Sequence, residues 1–171
     1  ADFAALKTAA VAGLTTNQIR ALTTDQVVAL TTAEANALSS AQVAALSTDS
    51  VAAMQTADLA ALKTASFAGL NSAQVAALTT DQVSGLATAQ FAAMSTANIA
   101  AGLTTDQIVA MKSSQFASLS TAQIAALSSN SIAAIETADI VGISTAGIAA
   151  LKSAQIAALT TDQVGTLSTN Q

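Results

Sequence analysis

The feature that most constrains this chain is an eight-residue unit, typified by LTTDQVVA from Leu22 to Ala29, repeated almost without interruption. With that Leu as position one, twenty complete copies run from Leu6 to Thr166, and partial copies flank them. A single extra residue, Gly102 in MSTANIAAG, breaks the frame. A chain of 171 residues has the length of an ordinary domain. A short fixed period overrides that expectation, because a repeat array has no intrinsic domain size. Residues 1–171 are therefore expected to form one continuous array. Neither ADFAA at the start nor LSTNQ at the end has the polar, atypical character of a capping repeat. The expectation is a window of a longer array, or a subunit that stacks end to end.

The columns of the repeat are strict. Position one is large and aliphatic, with Met54, Met94 and Met111 among the Leu and Ile residues. Position six is Val, Ile, Leu or Phe, except at Ala35, and position eight is small. Position three is Ser or Thr in every copy, from Thr8 to Thr169. Charges fall at positions two, four, five and seven, as at Lys63, Asp25, Glu34 and Arg20. Positions one, three, six and eight are thus expected to face inward, and the other four to face solvent or a neighbour.

Three secondary structures compete for this pattern. In one long helix, eight residues overshoot two turns by about 80°, so the apolar columns would wind around the axis. A half-buried strand needs strict alternation, which positions five to eight break. A very short helix per octad fits best. Ser or Thr at position three is then an N-cap, and Asp at the next position (Asp25, Asp49, Asp81, Asp106, Asp162) complements the helix dipole. Where position two is Ser or Thr and position five is Gln or Glu, as in Thr23 and Gln26, the spacing also fits a capping box. A helix of about six residues cannot persist alone, since nucleation is too costly. The expected fold is therefore an all-α solenoid of mini-helices, with two or three octads per superhelical turn. A β-solenoid with Ser and Thr at its turns is the alternative, disfavoured by the abundance of Ala and Gln.

Two irregularities and one longer period stand out. Gly102, at a helix C-terminus, is expected to widen the elbow or to form a left-handed cap. Ala35 is expected to leave a gap in column six. ADFAALKTAAVAGL at the start recurs as ADLAALKTASFAGL seven octads later, and a related stretch begins at Ala138. Each carries Asp at position five (Asp2, Asp58, Asp139), which is either duplication history or a surface mark repeating along a fibre.

Composition narrows the function classes. Five basic residues spread along a chain of net charge −5 make no patch for phosphate, so no nucleic-acid partner is expected. Mean hydropathy is +0.55, yet Ser, Thr or Gln interrupts every octad, and no transmembrane segment is expected. Without His or Cys, the commonest general bases, thiol nucleophiles and metal ligands are missing. A Ser–Lys pair is conceivable around Lys112, Ser113 and Ser114. Lys recurs at the same elbow in other octads, however, which marks a surface position. No catalytic, metal or cofactor-binding residue is expected. Phe3, Phe67, Phe91 and Phe116 share column six with Val and Ile, and belong to the core rather than to a stacking platform.

LTTDQVVA, LSTAQIAA and LKSAQIAA resemble the Ala/Thr/Gln octapeptide repeats of very large secreted bacterial surface proteins, described as adhesin-like, haemagglutinin-like or haem-utilisation proteins. The resemblance covers the whole chain and implies an extracellular, cell-surface or biofilm-matrix setting. Its haem association does not carry over, because only core Met residues could ligate iron here. The expected function is structural: a stiff rod, spacer or fibre without catalytic activity, whose partners are itself or neighbouring repeats, with surface glycan as a further candidate. The alternative is a binding module that presents a regular Ser/Thr array to ice or polysaccharide.

Overall fold

The structure, a computed structural model, describes residues 8–171. Phe3 and Asp2 lie outside the described residues. Each octad forms one helix of four to six residues, in the order α1 (Thr8–Ala12), α2 (Thr16–Arg20), α3 (Thr24–Val28), α4 (Thr32–Ala37), α5 (Ser40–Ala45), α6 (Thr48–Ala53) and α7 (Thr56–Ala61). There follow α8 (Thr64–Phe67), α9 (Ser72–Ala76), α10 (Thr80–Gly85), α11 (Thr88–Ala93), α12 (Thr96–Ala101), α13 (Thr105–Val109) and α14 (Ser113–Ala117). The last are α15 (Thr121–Ala126), α16 (Ser129–Ala134), α17 (Thr137–Ile140), α18 (Thr145–Ala149), α19 (Ser153–Ile156) and α20 (Thr161–Thr166). No strand occurs among the described residues, and the β-solenoid is set aside.

The helices begin one residue earlier than a cap at position three would place them. Position two is the N-cap: Thr79 has an extended backbone (φ −73°, ψ 159°), and its hydroxyl accepts the Gln82 N–H. Position three is the first helical residue, and it is exposed in most octads. The side chain of the N-cap reaches the orphan N–H of the third helical residue. A hydroxyl at position two meets that geometry together with Gln at position five. The Asp residues at position four fall in the first turn, as expected.

Helices stack in three ranks, because each packs on the third helix after it: α1 on α4, α4 on α7, α2 on α5, α3 on α6, and so on along the chain. Side-chain hydrogen bonds between coils join residues from 25 apart (Asn36 to Ala61) to 32 apart (Gln107 to Val75). They centre on 28 residues, as for Ser66 and Leu38. One superhelical turn therefore takes three octads, within the two or three expected, and the 28-residue bonds are diagonals that run from position five to position one, three octads and four positions back. The period of a sequence fixes what each octad looks like, but not which octad lies above it.

The core is the strip formed by columns one and six. Val83, Phe91, Ile108 and Ile132 of column six are wholly buried, as are Leu38 and Met111 of column one apart from a trace. Phe67, Phe91 and Phe116 lie in it as expected. Ala35 is buried too, with α4 packed between α1 and α7, so column six stays closed to solvent at its smallest member.

Position eight sets how closely coils approach. A methyl group added at Gly69 would lie 2.5 Å from the Ser40 carbonyl oxygen, and one at Gly142 would collide in the same way with Ser113. Gly102 takes neither a left-handed nor any other positive-φ conformation. It caps α12 with φ −96° and ψ −39°, and its N–H donates to Asn98 O at 2.8 Å. Glycine is needed there because a Cβ would collide with the Asn98 carbonyl oxygen and then with the Val75 side chain. Gly69→Ala is expected to destabilise the array by about 1–3 kcal/mol through overpacking, read as a lowered midpoint in urea unfolding followed by circular dichroism.

Candidate functional site

Column five carries the most distinctive chemistry of the molecule, and it points inward. Gln42, Gln74, Gln82, Gln90, Gln107 and Gln115 are each buried. Sequence patterning placed this polar column among those facing solvent or a neighbour, and the structure turns it to the neighbouring coil. The side chains escape the cost of burial because every polar atom of the amide is used.

Gln82 shows the arrangement. Its Oε1 accepts the Thr79 N–H at 2.8 Å, while the Thr79 hydroxyl accepts the Gln82 N–H at 3.1 Å. That is the reciprocal capping box at the start of α10. Its Nε2 then donates across to the preceding coil, to Val51 O at 2.9 Å, Ala52 O at 3.2 Å and Met54 O at 2.6 Å. Those carbonyls belong to the C-terminal end of α6 and the elbow after it. The last carbonyls of a helix have no intrahelical donor, and in a helix of six residues they are most of the carbonyls present. One glutamine thus completes the start of its own helix and the end of another.

The same rung recurs from Gln42, which reaches Val11, Ala12 and Leu14, to Gln163, which reaches Ile132, Ala133 and Ile135. It also survives loss of the capping hydroxyl. Where position two is Ala87, Lys112 or Lys152, the backbone N–H still donates to Gln90, Gln115 or Gln155. The inserted Gly102 shifts the spacing without breaking the ladder. Gln107, Gln115 and Gln123 span it and bond 32 and 29 residues back, whereas Gln155 returns to 31 and 28. Contacts follow octad positions, not residue numbers.

Other residues replace Gln in a few octads. Ser66 and Asn98 are shorter but still donate to the position-one carbonyls of Leu38 and Leu70, at 2.7 and 2.8 Å. Glu34 keeps the cap, with Oε2 accepting the N–H and hydroxyl of Thr31 at 2.8 and 2.9 Å. Asp58 is 3% exposed, and burial, then the nearby Glu34 carboxylate, push its carboxyl above the usual aspartate range. Asp139 accepts the Ser113 hydroxyl at 2.5 Å. Asp58 and Asp139 therefore face neighbouring coils, and neither is a surface mark.

The Ser–Lys pair is not assembled. Ser113 is held by Asp139 and by Ala138 O at 3.3 Å, while Lys112 and Ser114 are exposed. A cavity of about 370 Å³ opens between the elbow at Gly142 and Ser144 and the last residues, Ser168 and Gln171, and its lining side chains are all uncharged. Among the described residues, no three His, Cys, Asp or Glu side chains gather in a metal-binding arrangement, and no helix is long and apolar enough to cross a membrane.

The family model of the ALTTAQ repeat matches the chain four times, over residues 1–32, 51–88, 84–113 and 132–169. No curated protein and no solved structure matches it.

If the rung stabilises as described, Gln82→Leu, although more apolar, should destabilise the array by about 1–3 kcal/mol, because the Thr79 N–H and the Met54 carbonyl lose their partner. Thr79→Ala removes the weaker half of the cap and should cost only about 1 kcal/mol. Urea unfolding of the two variants side by side measures both.

Proposed function

Since the chain belongs to the ALTTAQ repeat family, and the same rung joins each coil to the next, we propose that it is a stiff structural array: a rod, spacer or fibre segment without catalytic activity. The observation that carries this reading is the glutamine ladder. It fixes every coil to the one before by bonds that do not depend on where in the array the coil lies. Length then scales with copy number, as in other repeat arrays. The interface between coils is made from repeated parts, so coils of a second copy can take the place of coils of the same chain. Self-association is accordingly part of the proposal. An extracellular setting on a bacterial surface or in a biofilm matrix is supported by the likeness of LTTDQVVA and LSTAQIAA to the octads of large secreted surface proteins.

A second reading draws on the exposure of columns two and three. Their Thr and Ser hydroxyls line the outside of all three ranks, which supports a module that binds ice or polysaccharide. It predicts measurable inhibition of ice recrystallisation, or retention on a glycan column, that disappears when several exposed Thr of column three are changed to Lys.

The rod is tested by small-angle scattering on chains with different numbers of octads. With coils about 8–10 Å apart, each additional three octads should lengthen the particle by about that distance at constant cross-section. A radius that grows in all directions would overturn the rod. Sedimentation over a wide concentration range tests the self-association separately, and a strictly monomeric chain throughout would overturn it.

A further inference from the structure

The buried carboxyl pair between α4 and α7 stands apart from the regular ladder. Position five of α7 is Asp58, in the register where Asn98 and Ser66 donate to the position-one carbonyl 28 residues earlier. For Asp58 that acceptor is the carbonyl of Leu30, itself a buried residue. An ionised carboxylate has no proton to donate. Gln55, at position two of the same octad, repairs part of the rung by turning its Nε2 to Val28 O at 2.9 Å. Among the described residues no side chain reaches the Leu30 carbonyl.

We propose that the Glu34–Asp58 pair is a proton-binding site, in which Asp58 takes up a proton and donates it in a hydrogen bond to the Leu30 carbonyl, so that the α4–α7 contact tightens as the medium acidifies. Glu34 is the charge that makes this site differ from the other rungs. Its Oε2 is committed as an acceptor to Thr31, and its charge favours the neutral form of Asp58. Nothing opposes it from the other side of α7. The helix packed there, α10, carries only Asp81, which is exposed, and Lys63 at the following elbow is exposed as well. The upward displacement of the Asp58 carboxyl has the same sense. A carboxyl whose pKa is raised by folding binds more protons folded than unfolded between its folded and its unfolded value. Stability therefore rises as pH falls through that interval, and it is lost as pH rises through the folded value.

Asp58→Asn is the test, since Asn98 shows that an amide fits this register. At pH 7 the variant should melt higher than the native chain, by about 2–4 °C. That advantage should shrink towards zero as the pH approaches the ordinary carboxylate range, because the native carboxyl then carries its own donor. A difference that stays constant with pH, or a variant that melts lower at pH 7, would overturn the proposal. Carbon-13 titration of the carboxyls by NMR gives an independent reading. Asp58 should titrate above the ordinary aspartate range, and Glu34→Gln should bring it down. Asp58 titrating within that range would sink the idea even if the melting data were ambiguous.

Discussion

The structure depends on one recurring difficulty: a helix of four to six residues has almost no internal hydrogen bonds and leaves most of its backbone groups at two open ends. Burying a strip of Leu and Val beneath such helices would be self-defeating if those groups were stranded beside it. The glutamine at position five removes the conflict. Its acceptor oxygen closes the start of its own helix, and its two amide protons close the end of a helix in the coil before. No other uncharged side chain but asparagine carries an acceptor and two donors on one planar group, and asparagine is too short to serve both ends equally. Asn98 bears this out. It donates to Leu70, but its oxygen is taken by the hydroxyl of Ser72 on another coil rather than by its own cap.

Because the ladder couples local and long-range order, the apolar columns and the capping chemistry are not independent. Columns one and six supply the burial, position eight allows the close approach, and the ladder fixes which carbonyl lies opposite which amide. The behaviour at Gly102 illustrates the hierarchy. An extra residue lengthens α12 by a C-cap and pushes the bonding distance in sequence from 31 to 32, yet each glutamine still finds the same pair of positions. A structure held mainly by side-chain volume would be expected to slip at such a point. This one keeps its register because a slipped amide would face the wrong group.

Much of this was legible in the residues themselves. The period, the short helices, the inward turn of columns one and six, the small residue at position eight and the Asp in the first turn all follow from patterning and capping rules. The capping box was visible in Thr23 and Gln26 as a spacing. Its second consequence, that the same glutamine must be buried, was not. A polar residue at a regular interval is ordinarily solvated, and only the demand that short helices have their C-terminal carbonyls satisfied points it inward. The number of octads per turn was legible only as two or three, because identical units leave no mark of which lies above which. Column three misled for a related reason. Constant Ser or Thr suggested a buried cap, while the hydroxyl that caps sits one residue earlier, where Lys63, Ala87 and Lys112 show that it can be dispensed with.

The claim that glutamine amides bridge the coils is tested most directly by hydrogen exchange of their side-chain protons, resolved by NMR. The Nε2 protons of Gln74, Gln82, Gln90 and Gln107, each buried and bonded to the coil before, should exchange slowly and together with the core backbone amides. Those of the exposed Gln18, which serves only its own cap, should exchange at close to the rate of a free amide. Uniformly fast exchange across all five would mean that the column-five side chains are solvated, and that packing of Leu and Val alone holds the coils together.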